Sequence, residues 1–196
     1  PPRSTLFPYT TLFRSMMLAR QVMEAGSVYA FEALPENQER LAANLEMSGF
    51  STRVRLIRAA VVDQTGMIQF QIGPSGGMGK AVGSAGRQEY SYTRSIDVQA
   101  ISLDDFVFKQ GNTPPQVVKM DIEGGEVMAL PGMVRVLREY HPLLMLELHG
   151  PEAAKVAWNI LTGAGYQIHQ MSNPYPRVES LEDLDWKAYL VAFPGT

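Results

Sequence analysis

The chain has 196 residues, of which 45% are hydrophobic, and this length and composition suit one globular domain with a sizeable core. A net charge of −3 gives no basic surface for nucleic acid, and no apolar run approaches the roughly 20 residues that span a bilayer. The absence of cysteine excludes disulfides, thiol catalysis and cysteine-bound metals, and it fits a cytoplasmic protein. We therefore expect neither a nucleic-acid partner nor a membrane span, and the sequence leaves the oligomeric state open.

The first 15 residues, PPRSTLFPYTTLFRS, match the conceptual translation of a sequencing-library adapter. Such a segment carries no information about the natural fold. We therefore expect residues 1–15 to be non-native and residues 16–196 to form a single truncated domain. Within the first segment, Thr5–Phe13 has strand-like character.

From Met16 onward, apolar periodicity and turn residues predict an alternation of helices and strands. The predicted helices cover residues 16–25, 35–47, 126–130, 133–140 and 152–161, with a short helix beginning at Ser102. The predicted strands cover residues 28–32, 54–57, 67–72, 96–101, 117–120, 142–148, 165–171 and 188–193. This alternation predicts an α/β fold with a parallel sheet covered on both faces and an antiparallel element near the C-terminal end.

The predicted strand 28–32 ends on a carboxylate, Glu32, and a helix follows at once. At the carboxyl edge of an α/β sheet, such a carboxylate can accept hydrogen bonds from both ribose hydroxyls of a nucleoside cofactor. Glu32 therefore indicates an adenosine-containing cofactor. The alternative is that the strand ends in glutamate for solubility.

A second acidic cluster, Asp121 and Glu123, follows the predicted strand 117–120, and Gly124 and Gly125 then allow a sharp turn. These carboxylates can orient a substrate hydroxyl, act as a general base or bind a divalent cation. The alternative is that they complement the dipole of the following helix. No spacing in the sequence demands a cation, so we assign no metal ligand.

A third polar cluster, Glu147 and His149, lies at the end of the predicted strand 142–148. Of the three histidines, His149 is the best placed for proton transfer, because an ordinary imidazole pKa of about 6.5 lets it change charge near neutrality. The alternative is a surface loop residue without a chemical role.

Five motifs in chain order resemble the FkbM-type methyltransferases. They are Val28-Tyr29-Ala30-Phe31-Glu32-x-x-Pro35-x-Asn37, Ala59-Ala60-Val61-Val62-Asp63-x-x-Gly66, Ile101-Ser102-Leu103-Asp104-Asp105, Lys119-Met120-Asp121-Ile122-Glu123-Gly124-x-Glu126 and Leu146-Glu147-Leu148-His149. The resemblance covers roughly residues 16–193. It implies a class I, Rossmann-like sheet of order 3-2-1-4-5-7-6 with an antiparallel strand 7. It also implies S-adenosylmethionine as cofactor and O-methylation of a sugar or other small hydroxyl compound.

The resemblance also implies which residues act. In such a family the acid at Glu32 holds the cofactor ribose, the loop at Ala59 lies near the adenine, and Asp121 lies beside the methionine part and the acceptor. The expected cofactor-binding residues are Glu32, Ala33, Ala59, Ala60 and Asp121. Because methyl transfer needs alignment and removal of a hydroxyl proton, the catalytic candidates are Asp121, Glu123, Glu147 and His149.

The sequence departs from the family pattern before the helix at Met16. Family members carry a first strand and a glycine-rich loop of D-x-G-A-N-x-G type there, whereas residues 1–15 contain no glycine. We therefore expect this chain to bind S-adenosylmethionine poorly and to be inactive by itself. A nicotinamide-dependent oxidoreductase, which can also place Glu32 on a ribose, and a non-catalytic Rossmann-like binding module are the alternatives.

Overall fold

The computed structural model describes residues 10–22, 26–73, 79–85, 92, 94–185 and 187–195. The α-helices are α1 (Thr10–Gln21), α2 (Pro35–Met47), α3 (Glu126–Ala129), α4 (Val134–Tyr140) and α5 (Pro151–Gly163). The strands are β1 (Val28–Phe31), β2 (Val54–Ile57), β3 (Ala60–Val61), β4 (Gly66–Ile72), β5 (Gly79–Ala81), β6 (Arg94–Ile101), β7 (Val117–Met120), β8 (Leu143–His149), β9 (Tyr166–Gln170) and β10 (Lys187–Pro194). A π-helix, Asp105–Lys109, and two 3-10 helices, Leu130–Met133 and Leu181–Asp183, complete the described elements.

These elements confirm the predicted α/β fold. The strand orders are β1-β2, β7-β8-β10-β9 and β3-β6-β4-β5. The chain divides into two compact units, which are described separately. The N-terminal unit takes residues from Pro1–Ala60, Met67–Gly79 and Tyr92–Gln99, and the C-terminal unit takes residues from Val61–Gly66, Lys80–Ser91 and Ala100–Thr196.

The N-terminal unit is organised around the parallel pair of β1 and β2, in which Val28 lies opposite Val54. Their inward-facing side chains pack against α2, whose Leu41 and Leu45 are one helical turn apart and therefore share a face. Ala19 of α1 completes this core. This core fixes the end of β1, after which the chain turns into α2.

The C-terminal unit contains the sheet β7-β8-β10-β9, in which β7 runs parallel to β8 and β10 runs antiparallel to both β8 and β9. The predicted antiparallel element near the C-terminal end is therefore confirmed. Successive side chains of a strand point to opposite faces. On one face of β8, the side chains of Leu144, Leu146 and Leu148 are fully buried. Glu147 and His149 point to the other face.

The helix α1 differs from the sequence prediction. It begins at Thr10, so the strand-like interpretation of Thr5–Phe13 is wrong for residues 10–13, and residues 5–9 lie outside the described part of the chain. The reason is the stretch that follows, in which Met16 to Arg20 are good helix formers. Extending an existing helix by one residue costs little, because each added residue also adds a hydrogen bond.

Helix α1 also ends earlier than predicted, at Gln21 rather than near residue 25, and residues 23–25 lie outside the described part. The predicted helices 126–130 and 133–140 are present as α3 and α4, and the 3-10 helix Leu130–Met133 joins them. Pro131 lies within this join. Proline has no backbone N–H to donate, which suits the change of helix type at that point.

The buried face of β8 gives a stability prediction. Leu146→Ala removes a side chain that is 1% exposed, and the cavity should lower the free energy of unfolding by about 2–5 kcal/mol. Val117→Ala on the neighbouring β7 is the control, because that side chain is half exposed. Urea unfolding followed by circular dichroism measures both variants. Equal losses in the two variants would contradict the assigned core.

Candidate active site

The three neighbouring strands β7, β8 and β10 bring polar residues to one edge of the C-terminal sheet. Met120 lies opposite Leu146 in the parallel pair, so Asp121 follows at the level of Glu147. In the antiparallel pair, Tyr189 lies opposite Glu147 and Lys187 opposite His149. Residues directly opposite each other on adjacent strands point to the same face. The registers of the β7–β8 and β8–β10 pairs therefore place these side chains next to one another.

We use the term His149 cluster for Asp121, Glu123, Glu126, Glu147 and His149. The imidazole of His149 is 2% exposed, and carboxylates lie around both of its nitrogens. Nε2 is 3.5 Å from Glu147 Oε1, 3.7 Å from Glu123 Oε2 and 3.9 Å from Asp121 Oδ1. Nδ1 is 3.5 Å from Glu126 Oε1. The structure thus brings together all four residues that the sequence predicted as catalytic candidates.

Glu126 is the member of the cluster to which the sequence assigned no role. Its side chain is completely buried, and Oε1 accepts a hydrogen bond from the backbone N–H of Ile122 at 3.0 Å. Among the described residues, Glu126 Oε2 has no hydrogen-bond partner. The motif itself contained Glu126. Its burial depends on the packing of α3, and the identity of one acidic residue in the sequence does not predict that packing.

The turn between β7 and α3 presents Glu123 to His149. Glu123 has φ 53° and Gly124 has φ 93°, so two successive residues adopt left-handed backbone conformations. For a residue with a Cβ this conformation costs roughly 1–2 kcal/mol. The carbonyl of Gly124 also accepts a hydrogen bond from the N–H of Ala85 at 2.9 Å, which anchors the turn. The carboxylate of Glu123 remains 54% exposed.

Lys187 is a second residue that the sequence analysis missed. Its Nζ lies 2.6 Å from Glu147 Oε1. Burial raises the pKa of the Glu147 carboxyl, but the hydrogen bonds with Lys187 and Asp121 and the nearby positive charge together outweigh burial, so the pKa lies below its ordinary value. The same contact raises the pKa of Lys187. The two groups form an ion pair, and only knowledge of the β8–β10 register would have identified it.

His149 experiences two opposing effects. Burial lowers the pKa of its imidazole, because a charged ring is poorly solvated there. The carboxylate of Glu126, followed by those of Glu123 and Asp121, outweighs burial, and the pKa of His149 lies above its ordinary value. The cluster therefore favours a positive charge at the imidazole.

The turn after β1 in the N-terminal unit is fixed by side-chain hydrogen bonds. Glu32 Oε1 accepts a hydrogen bond from the N–H of Leu34 at 3.0 Å. The buried side chain of Gln38 donates from Nε2 to the carbonyl oxygens of Glu32 and Ala33, at 2.9 and 3.0 Å. Its Oε1 in turn accepts a hydrogen bond from Arg58 Nη1 at 3.1 Å. The position of Glu32 is thus set by α2 as well as by β1.

The predicted cofactor-binding residues of this unit lie near one another. The backbone N–H groups of Glu32 and Ala59 both donate to the carbonyl of Ile57, each at 3.0 Å. Ala33, Ala59 and Ala60 are buried. The structure therefore brings the end of β1 and the end of β2 together within this unit, whereas Asp121 belongs to the C-terminal unit.

Three side chains of the His149 cluster can hold a metal ion. One ligand atom from each of Asp121, Glu123 and His149 lies within 4.8 Å of the other two.

In the part of the chain that the structure describes, no helix combines the length and the apolar character required to cross a bilayer.

Comparisons with known proteins identify relatives of the chain. Residues 9–168 match the methyltransferase FkbM domain. The hexuronic acid methyltransferase AglP of Haloferax volcanii is 29% identical over 140 residues, which cover 71% of this chain and 54% of that protein. The crystal structure of methyltransferase FkbM from Methylobacillus flagellatus KT shares the fold with a TM-score of 0.55 at 17% identity, covering 94% of this chain and 41% of that one. The chain thus spans about half the length of the curated relative that it matches.

The ion pair of Lys187 and Glu147 gives a second stability prediction. Lys187→Met leaves the buried Glu147 carboxylate without its ammonium and should lower the free energy of unfolding by about 1–3 kcal/mol. The double variant Lys187→Met with Glu147→Gln removes the unpaired charge and should recover most of that loss. Urea unfolding of the two single variants, the double variant and the parent forms a double-mutant cycle. A double variant no more stable than Lys187→Met would contradict the pairing.

Proposed function

The chain belongs to the FkbM methyltransferase family, and from that premise we propose that it carries an S-adenosylmethionine-dependent methyltransferase domain acting on a hydroxyl of a sugar or similar small compound. The His149 cluster is the observation that carries the proposal. It lies at the carboxyl ends of the parallel strands β7 and β8, where open α/β sheets bind their ligands. The relatives found by sequence and by structure favour this function over an oxidoreductase or a non-catalytic module.

Glu32 is the proposed anchor of the cofactor ribose. The hydrogen bond from Leu34 uses one oxygen of the carboxylate, and Gln38 holds the surrounding turn. A carboxylate has about four acceptor positions, so capacity remains for two ribose hydroxyls. In this proposal Ala33, Ala59 and Ala60 line the adenosine part, and Asp121 lies beside the methionine part.

The seven-strand order 3-2-1-4-5-7-6 is part of the same proposal. Two observations support it. The parallel pair β1-β2 corresponds to strands 2 and 3, and the order β7-β8-β10-β9 corresponds to strands 4, 5, 7 and 6. The antiparallel direction of β10 matches strand 7.

The reaction places defined demands on the His149 cluster. When bound, S-adenosylmethionine would supply an electrophilic methyl group, and the acceptor hydroxyl would be the nucleophile that displaces sulfur from it. The hydroxyl proton has to pass to a base. Asp121, Glu123, Glu147 and His149 are the proposed candidates, and Glu123 is the one most accessible from solvent.

A sugar is the proposed acceptor class. By its name, the archaeal relative acts on a hexuronic acid. In this chain Tyr189 is half exposed and lies opposite Glu147 in the register, so its ring is on the same face as the carboxylate. An aromatic face beside polar groups is a common way to bind and orient a polar ring.

Cofactor binding tests the role of Glu32. In a form of the protein that includes the family's first strand and glycine-rich loop, Glu32→Ala should weaken S-adenosylmethionine binding about 10- to 100-fold, since hydrogen bonds to a charged acceptor are worth about 1.5–3 kcal/mol each. Glu36→Ala, an exposed carboxylate on α2, is the matched control and should bind like the parent. Isothermal titration calorimetry measures both. An unchanged affinity in Glu32→Ala would contradict the assignment.

Titration of this chain itself with S-adenosylmethionine tests the weak binding that its sequence predicts. A dissociation constant in the micromolar range would overturn that expectation.

Acceptor binding tests the role of Tyr189. With an acceptor identified from a panel of hexuronic acids and hexoses and radiolabelled S-adenosylmethionine, Tyr189→Ala should raise the acceptor KM about 3- to 10-fold with little change in kcat. Phe193→Ala is the control, because Phe193 is similarly exposed, on the same face of β10 and about 13 Å further along the strand. Equal KM values for the two variants would exclude Tyr189 from acceptor binding.

A further inference from the structure

We propose that Asp121, Glu123 and His149 form a binding site for a divalent transition-metal cation of the Mn²⁺ or Zn²⁺ type. The ligand atoms are His149 Nε2 and one carboxylate oxygen from each acid. Binding of the cation follows from the geometry of the cluster. Only a role of the bound cation in the reaction rests on the proposed function.

The spacing of the ligand atoms suits a bridging cation. Ligand atoms that each lie about 2.1 Å from one cation are roughly 3.4–3.6 Å apart in a tetrahedral or trigonal arrangement. His149 Nε2 is 3.9 Å from Asp121 Oδ1 and 3.7 Å from Glu123 Oε2. Both distances exceed the usual 2.7–3.2 Å of an N–H···O hydrogen bond. The two carboxylate oxygens also lie within 4.8 Å of each other, so a small contraction of the cluster would place all three atoms around one ion.

Glu126 provides an independent observation that points to the same ligand. A metal-bound histidine characteristically donates its second ring N–H to a carboxylate, which fixes the tautomer and directs the other nitrogen at the metal. Glu126 Oε1 lies 3.5 Å from His149 Nδ1, slightly beyond hydrogen-bond length, on the side of the ring away from Asp121 and Glu123, so a small movement of the ring lets it take this role. With the proton on Nδ1, the lone pair of Nε2 faces the two carboxylates.

The burial of Glu126 strengthens this argument. The side chain is 0% exposed, and its Oε2 has no hydrogen-bond partner among the residues that the structure describes. A buried carboxylate is costly unless positive charge lies close by. A cation on Nε2 would replace the proton that otherwise charges the imidazole, so the ring would still present positive charge to Glu126.

Glu147 does not belong to the ligand set, although its Oε1 is also 3.5 Å from His149 Nε2. Lys187 occupies that oxygen at 2.6 Å. The remaining set of two carboxylates and one imidazole favours Mn²⁺, Fe²⁺ or Zn²⁺ over Ca²⁺ and Mg²⁺, which prefer oxygen ligands alone.

Three protein ligands leave open positions on the cation, which water or an acceptor hydroxyl can fill. Glu123 lies at the entrance, because its side chain is half exposed. Its exposure gives the ion a path into the cluster, and it allows the small movement that brings all three ligand atoms to bonding distance.

Titration of the chain with Mn²⁺, followed by electron paramagnetic resonance, tests the site without any methyl transfer. We expect one bound Mn²⁺ per chain, displaced by Zn²⁺, and a pulsed-resonance signal from a directly bound ¹⁴N. Glu123→Gln should weaken Mn²⁺ binding at least 10-fold, and Asp121→Asn with Glu123→Gln should abolish it. Glu139→Gln, an exposed acid on α4, is the matched control and should bind like the parent.

Circular dichroism and thermal unfolding show whether the variants are folded, and the half-exposed position of Glu123 makes Glu123→Gln the safest of them. Equal Mn²⁺ binding by the parent and the folded Asp121→Asn, Glu123→Gln variant overturns the site. Mn²⁺ binding without a ¹⁴N signal overturns the ligand role of His149. If a form of the protein that includes the family's first strand and glycine-rich loop binds Mn²⁺ as expected but has no methyltransferase activity, the proposed function is overturned and the metal site stands.

Discussion

The pairing of β8 with β7 on one side and β10 on the other determines what this protein can do at the sheet edge. The parallel pair sets Asp121 beside Glu147, and the antiparallel pair sets Lys187 beside His149. A shift of one residue in either register would send these side chains into the leucine face of β8. The packing of that apolar face therefore also helps to keep the charged groups together, since it disfavours any shift by an odd number of residues.

The charged groups at this sheet edge differ in how far they are buried. Glu126 and His149 are enclosed, Glu147 is neutralised by Lys187, and Glu123 extends into solvent. Solvent exposure thus rises from Glu126 on one side of the His149 imidazole to Glu123 on the other. Groups at the two ends of such a gradient can have different duties, with the inner carboxylate orienting the ring and the outer one meeting a ligand.

The sequence predicted the elements and strand ends well, because apolar runs and the acids after them are local signals. Asp121, Glu123, Glu147 and His149 could be grouped from their places after two strands that parallel pairing brings together. Glu126 and Lys187 could not be assigned, since burial and antiparallel register are long-range properties. The strand-like residues Thr10–Phe13 were misjudged because the adjacent helix formers decide their conformation. The interpretation of residues 1–15 as an adapter translation stays a prediction.

The left-handed backbone at Glu123 limits which amino acids can replace it. The backbone alone would favour glycine, or asparagine and aspartate, which tolerate positive φ better than other residues. The side chain, in contrast, has to carry an oxygen as far as the imidazole of His149. Two requirements at one position thus select different residues, and related sequences that lose the carboxylate should drift toward glycine or asparagine there rather than toward glutamine.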